Sequence, residues 1–118
     1  MRIKTKRIYD DVSSDDGVRI LVDRLWPRGV SKQQANIDEW LKDIAPSSAL
    51  RKEFNHQSER FDWFKKAYLE ELQTGPQYKA FQQLKKIMLE NSTVTLLYAA
   101  KDRTHNQAMV LKEQLDSN

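Results

Sequence analysis

Ile20, Leu21 and Val22 stand side by side, and Leu96 and Leu97 do the same within residues 94–100. Unbroken apolar runs of strand length suit strands covered on both faces, as in a parallel or mixed sheet flanked by helices. The first run, over residues 18–25, gives way to Trp26, Pro27, Arg28 and Gly29. Proline cannot donate to a ladder and glycine permits unusual backbone angles, so the strand stops there and a loop opens. The second run stops in a polar cluster that holds Lys101, Thr104, His105 and Asn106. A shorter segment, 3–8, sets Ile3 and Ile8 against Lys4 and Lys6 and reads as a strand with a solvated face.

Between these strands the pattern turns helical. Residues 10–17, with four aspartates and two serines, read as a polar loop. Residues 31–45 fit two periods: Ile37, Trp40, Leu41 and Ile44 have helical spacing, yet Trp40 and Ile44 also share one face of a strand. Beyond Pro46, Ser47 or Ser48 can cap a short helix carrying Leu50 and Phe54. Ser58 is placed to cap the next, with the stripe Phe61, Phe64, Tyr68 and Leu72. Gly75 and Pro76 mark a stop and restart, and Thr74 with Gln77 has capping-box spacing for a helix that buries Phe81, Leu84 and Met88. Thr104 and Gln107 repeat that spacing before a closing helix with Ala108, Leu111 and Leu115 on its inner side. His105 and Asn106 then fall in the first turn of that helix.

This order predicts one α/β domain over residues 1–118: a small three-layer fold with a mainly parallel or mixed central sheet flanked by helices. Strands 18–25 and 94–100 are expected to be central and parallel, adjacent or one strand apart, because the helical stretch 47–90 supplies a crossover. A chain of 118 residues buries roughly two-thirds of its unfolded surface. Three glycines and three prolines leave little room for flexible linkers, and zero cysteines exclude disulfides, thiolate ligands and cysteine nucleophiles. No run has the length of a membrane span and residues 1–20 lack a secretory apolar core, so a soluble cytoplasmic protein is expected.

Taken together, DRLWPRG (residues 23–29), TLLYAAKD (residues 95–102) and the following His-Asn resemble the YeaO-like family of short bacterial proteins. That family sits within a larger domain-of-unknown-function group. The likeness runs along nearly the whole chain, through Lys6-Arg7-Ile8-Tyr9-Asp10, Pro46-Ser47, Leu50-Arg51-Lys52, Tyr68-Leu69 and Glu71-Leu72. It implies a small three-layer α/β fold and leaves the reaction open. Longer relatives carry a cysteine-containing CAE…CHR-like element where this chain has Tyr98-Ala99-Ala100 and His105-Asn106. The absent cysteines and arginine set this chain apart from those relatives.

Open α/β sheets place ligands beyond the carboxyl ends of their strands, and both polar clusters lie there. Arg28 is the leading anion ligand, because guanidinium suits planar bidentate contacts and Gly29 lets a backbone come close. Arg24, Lys101, Thr104 and Asn106 complete the expected ligand-binding set, the last two through a helix start whose free amides and dipole attract anions. Asp23 and His105 are the only plausible proton-transfer pair, the helix dipole favouring a neutral His105 imidazole. Each of these also has a plain structural reading: Asp23 as a loop-shaping acceptor, Lys101 as a solvated charge, His105 as a helix-end residue. Trp26 reads as packing before ligand stacking, and His56 as solvated or structural.

Two histidines far apart, without HxxxH or HExxH spacing, give no metal site, and no GxGxxG, GxxxxGK[ST] or GxSxG occurs. No cofactor is therefore expected. Twenty Lys and Arg against 17 Asp and Glu make a net charge of +3, a lean toward anionic partners that does not demand nucleic acid. The favoured function is binding of a phosphate- or carboxylate-bearing small molecule at the sheet's carboxyl edge, with acid–base catalysis a further possibility. The alternative is a nucleic-acid-binding or regulatory module using the basic strand 2–7 with Arg19, Arg24 and Arg28.

Overall fold

The computed structural model describes residues 2–117. Strands β1 (Arg2–Arg7), β2 (Val18–Leu21), β3 (Glu39–Trp40) and β4 (Thr93–Tyr98) form one sheet in the order β1-β4-β2-β3. All its pairings are parallel. Ile20 lies opposite Leu96 and Leu21 opposite Leu97, so the two apolar runs are central and parallel, as the sequence predicts, and of the two spacings it allows they take the adjacent one. Burial on two faces explains why they carry no polar interruption.

Alternation along the strands sorts their side chains between two unequal layers. Ile20, Val22, Val94, Leu96 and Tyr98 join the main core under helices α2 (Ser48–Phe54), α3 (Phe61–Glu71), α4 (Gly75–Glu90) and α5 (Gln107–Asp116). The opposite face carries a smaller cluster of Ile8, Leu21, Ala35 and Leu97, with Trp26 and Trp40 packed against it. This third layer is thin, made of loops and the single turn α1 (Lys32–Ala35). Polar residues on that face converge on Asp16, which is 1 % exposed at the end of a 3-10 turn. Its carboxylate takes Lys6 at 3.1 Å, Lys4 at 3.6 Å and Arg19 at 2.5 Å. Arg19 also donates to the carbonyls of Ala35 and Asn36, at 2.9 and 3.0 Å, tying the thin layer to β2.

Several expected boundaries move. Strand 18–25 ends at Leu21, and Val22 N–H, donating to Leu97 O at 3.0 Å, is its last rung. Residues 31–45 are neither one helix nor one strand but α1, β3 and a 3-10 turn at Lys42–Ile44. Ser47 caps α2 through Leu50 N–H, whereas Ser58 caps nothing and instead begins a 3-10 turn leading into α3. The Thr74–Gln77 box does not form, because the Gln77 amide reaches Ala45 O and the Glu71 carboxylate instead. That same Glu71 accepts from Ser47 N–H and Oγ, while Tyr68 OH donates to Ile44 O, so α3 fastens the turn that precedes α2. No helix among the described residues is long and apolar enough to cross a membrane.

Candidate functional site

Past Val22 the chain leaves the sheet, and Asp23 turns its carboxylate across to the neighbouring strand. Oδ2 accepts Ala99 N–H at 2.9 Å and Oδ1 accepts the Gln107 side-chain amide, while Asp23 O accepts Trp40 Nε1 at 2.7 Å. One side chain therefore joins the exits of β2 and β4 to the first turn of α5. Burial pushes the Asp23 carboxyl above its ordinary value, against the pull of Ala99 N–H, Gln107 and the Arg51 charge. Arg7 braces the same exit from the far side, donating to Ala99 O and Ala100 O at 2.9 Å each.

Two contiguous depressions open above this brace. The larger, about 660 Å³, is lined by Asp23, Arg24, Arg28 and Lys101, together with Trp26 and Asp102. The smaller, about 440 Å³, takes His105 and Asn106 and a floor of Phe54 and Phe64. Leu25, Pro46, Arg51, His56, Ala100 and Gln107 line both. Residues 23–28 and 101–106 thus meet at the carboxyl edge of the sheet, while Gly29 and Thr104 stand outside both linings. Gly29 is exposed with φ +77, and a Cβ there would touch nothing within 4 Å, so it forms no cradle.

Cations outnumber acids on this surface, with Arg24, Arg28, Arg51 and Lys101 against Asp23 and Asp102. Arg28 and Lys101 are exposed, and of Arg28 only the carbonyl oxygen is engaged, by Tyr9 OH at 2.9 Å. Arg24 donates from one terminal nitrogen to Ala45 O at 2.9 Å, and its Nε is buried without a hydrogen-bond partner. Facing them, Asp23 is committed to Ala99 and Gln107, and Asp102 is occupied in its own loop. Trp26 packs edge-on against Trp40, centroids 5.4 Å apart, and donates to Val30 O at 2.6 Å, so its main work is structural.

The expected helix start is corrected. Helix α5 begins at Gln107, with Asn106 as its cap: Asn106 Oδ1 accepts Met109 N–H at 3.1 Å and Nδ2 donates to Asp102 O at 2.9 Å. Asn106 is 2 % exposed with its amide fully spent, which removes it as a ligand. Thr104 and Gln107 form no box. Thr104 N–H and His105 N–H both donate to Asp102 Oδ1, at 3.0 and 3.1 Å, and His105 Nδ1 lies 2.9 Å from Asp102 Oδ2. The Thr104 amide bond leads and, joined by the contacts from His105, outweighs burial in holding the Asp102 carboxyl at about 2. His105 is thus partnered by Asp102, three residues away, and not by Asp23. Its ring also meets Phe61 edge-on at 5.2 Å.

Two further residues line both depressions: Arg51, which the sequence does not single out, and His56, which it marks as solvated or structural. Arg51 occupies the solvent side of a short helix, where a cation carries no message until the helix is docked. His56 follows Asn55, the left-handed cap of α2, and itself has φ +55, which folds the chain back toward Pro46. An Asn-His pair after a helical stripe is the signal for that reversal. Among the described residues no group of three or more His, Cys, Asp or Glu side chains is arranged to hold a metal ion.

The chain belongs to the DUF488-N3i family, the inactive DUF488-N3 subclade, whose model matches residues 2–118. It is 44 % identical over 118 residues to the uncharacterized protein YeaO of Escherichia coli (strain K12), covering 99 % of each chain. Uncharacterized proteins of Mycobacterium bovis and Mycobacterium tuberculosis are 40 % identical over 115 residues, 98 % of this chain and 94 % of theirs. No solved structure matches the chain.

Proposed function

We propose that this member of the inactive DUF488-N3 subclade binds a phosphate- or carboxylate-bearing small molecule in the cleft at the carboxyl edge of its sheet, without turning it over. The observation that carries the reading is the set of cations there whose side chains hold no hydrogen bond among the described residues: Arg28, Arg51 and Lys101 border a depression whose two acids, Asp23 and Asp102, are already engaged by N–H donors. Guanidinium groups at a concave, partly apolar surface are the usual means of holding a planar or tetrahedral anion. The acid–base pair expected from the sequence lacks support, since Asp23 serves as a brace and His105 is paired with Asp102. The nucleic-acid alternative loses most of its basic strand in the same way, although Arg24 and Arg28 stay at the cleft. Lys4, Lys6 and Arg19 are turned onto Asp16, and Arg7 onto two carbonyls.

Amide-resolved NMR titration with inorganic phosphate, pyrophosphate and citrate tests this. Saturable shifts confined to residues 23–28, 51–56 and 99–102 are the expected result. Flat titrations with all three anions would sink the reading. Salt-sensitive binding of labelled DNA or RNA that Lys4→Ala and Lys6→Ala abolish would replace it with the nucleic-acid module, since counterion release is the mark of phosphate-backbone binding.

A further inference from the structure

Resting on that reading, we infer that the ligand is bipartite: an anionic head joined to an aromatic ring, with the head among Arg24, Arg28 and Lys101 and the ring against Leu25 in the neighbouring depression. The two depressions are chemically unlike. The larger holds Arg24, Arg28 and Lys101 together with both acids, whereas the smaller contains no carboxylate, takes Arg51 and Lys52 at its rim, and reaches down to the buried, stacked pair Phe54 and Phe64, centroids 4.4 Å apart. They are not separate sites, because Leu25, Pro46, Ala100 and Arg51 line both.

Leu25 is the residue that points to an apolar occupant. It is 67 % exposed at the junction, between the half-buried Arg24 and Trp26. A large apolar side chain exposed at the rim of a cleft gains when a ligand covers it, in proportion to the area removed from water. The ring's polar neighbour is also defined. Asp102 holds His105 through Nδ1, which leaves Nε2 as the atom available to a ligand at the edge of the smaller depression. A simple inorganic anion would leave Leu25 and this depression unused. A ring joined to phosphate or carboxylate uses both.

Phenyl phosphate and methyl phosphate carry the same head and differ in the ring, so their dissociation constants, measured by isothermal titration on the whole chain, isolate the second depression. Phenyl phosphate is expected to bind at least tenfold tighter, the yield of burying roughly 60 Å² of apolar surface. Ser48→Trp places bulk at an exposed position that lines only the smaller depression, and Leu25→Ser removes the shared apolar wall. Each should cut the phenyl advantage to less than about threefold. Equal affinities for the two probes would overturn the bipartite inference while leaving the anion reading in place. A phenyl advantage untouched by both substitutions would overturn it too, by putting the ring elsewhere. Binding of neither probe while pyrophosphate binds would overturn the bipartite inference alone, and silence from phosphate, pyrophosphate and citrate as well would overturn both readings.

Discussion

The Asp16 carboxylate and the Arg19 guanidinium meet at 2.5 Å with side chains only 1 % and 3 % exposed. Arg19 sits in the central strand β2, and Asp16 comes from the loop that precedes it. Thr95 of β4 donates to Asp16 O at 2.6 Å, so the pair anchors that loop to two strands at once. Removing one partner of a buried pair strands the other charge, at about 3–5 kcal/mol. Asp16→Ala is therefore expected to cost that much in urea-induced unfolding. A loss below about 1 kcal/mol would mean that Arg19 finds water.

Acid should dismantle the same contact. Burial alone pushes the Asp16 carboxyl up, but Ser13 N–H, Lys6 and Arg19 together outweigh it and hold the group at about 2, below the ordinary 3.8. A depressed carboxyl stabilises the fold above the unfolded value, and its contribution fades as the pH falls from near 4 through 2. Of the total stability, on the order of 2 kcal/mol should disappear over that window. In Asp16→Asn this component is absent, so the gap between wild type and variant should close toward pH 2. A gap that stays constant with pH would refute the assignment.

This pair also shows where sequence reading stops. The central placement of 18–25 and 94–100 is legible because each run signals its own two-sided burial, whatever its partner. Asp16 sends no such signal: its partners lie at positions 4, 6 and 19, and a run of aspartates beside serines looks like a solvated loop until the strands are assembled. The site divides in the same way. Residues 23–28 and 101–105 were readable as strand exits, whereas Arg51 enters only through the docking of α2. His105 was matched to Asp23 because both are chemically apt. The nearer Asp102, accepting N–H groups two and three residues ahead, forms a local turn that the spacing already permits.

Gly17 and Gly29 should respond differently to alanine. Both have positive φ, but a Cβ on Gly17 would lie 2.2 Å from Thr93 O, where the loop passes against β4, whereas one on Gly29 meets open space. Gly29→Ala should cost only the backbone penalty, about 1–2 kcal/mol. Gly17→Ala adds a clash with main chain and should exceed about 3 kcal/mol. Paired thermal melts settle the order, and equal losses would contradict the packing.

Asp23 is expected to act as a structural acceptor. Asp23→Ala leaves Ala99 N–H without its acceptor and should cost about 1–3 kcal/mol. Asp23→Asn can still accept from Ala99, with Gln107 turning its amide over to receive the new NH₂ group. Since burial raises the Asp23 carboxyl, the wild type loses stability as the pH rises from below 3.8 through the raised folded value. The asparagine variant escapes that loss, so its stability relative to wild type should improve between pH 4 and 7. If Asp23→Asn is instead as damaging as Asp23→Ala at pH 7, the charge itself is what the brace requires.

Arg28 offers the sharpest separation of binding from folding. Its side chain is exposed and only its carbonyl is engaged by the fold, so Arg28→Ala should leave the unfolding midpoint where it is. Affinity for pyrophosphate should nevertheless fall about ten- to a hundredfold, the worth of a lost charge-assisted hydrogen bond of roughly 1.5–3 kcal/mol. Lys6→Ala should do the reverse, lowering stability through Asp16 while leaving pyrophosphate affinity intact. Both variants assayed by titration and by melting give four readings, and the anion site requires opposite patterns in the two proteins. If Arg28→Ala leaves affinity unchanged and Lys6→Ala lowers it, the ligand belongs on the basic strand and the carboxyl-edge cleft is not its seat.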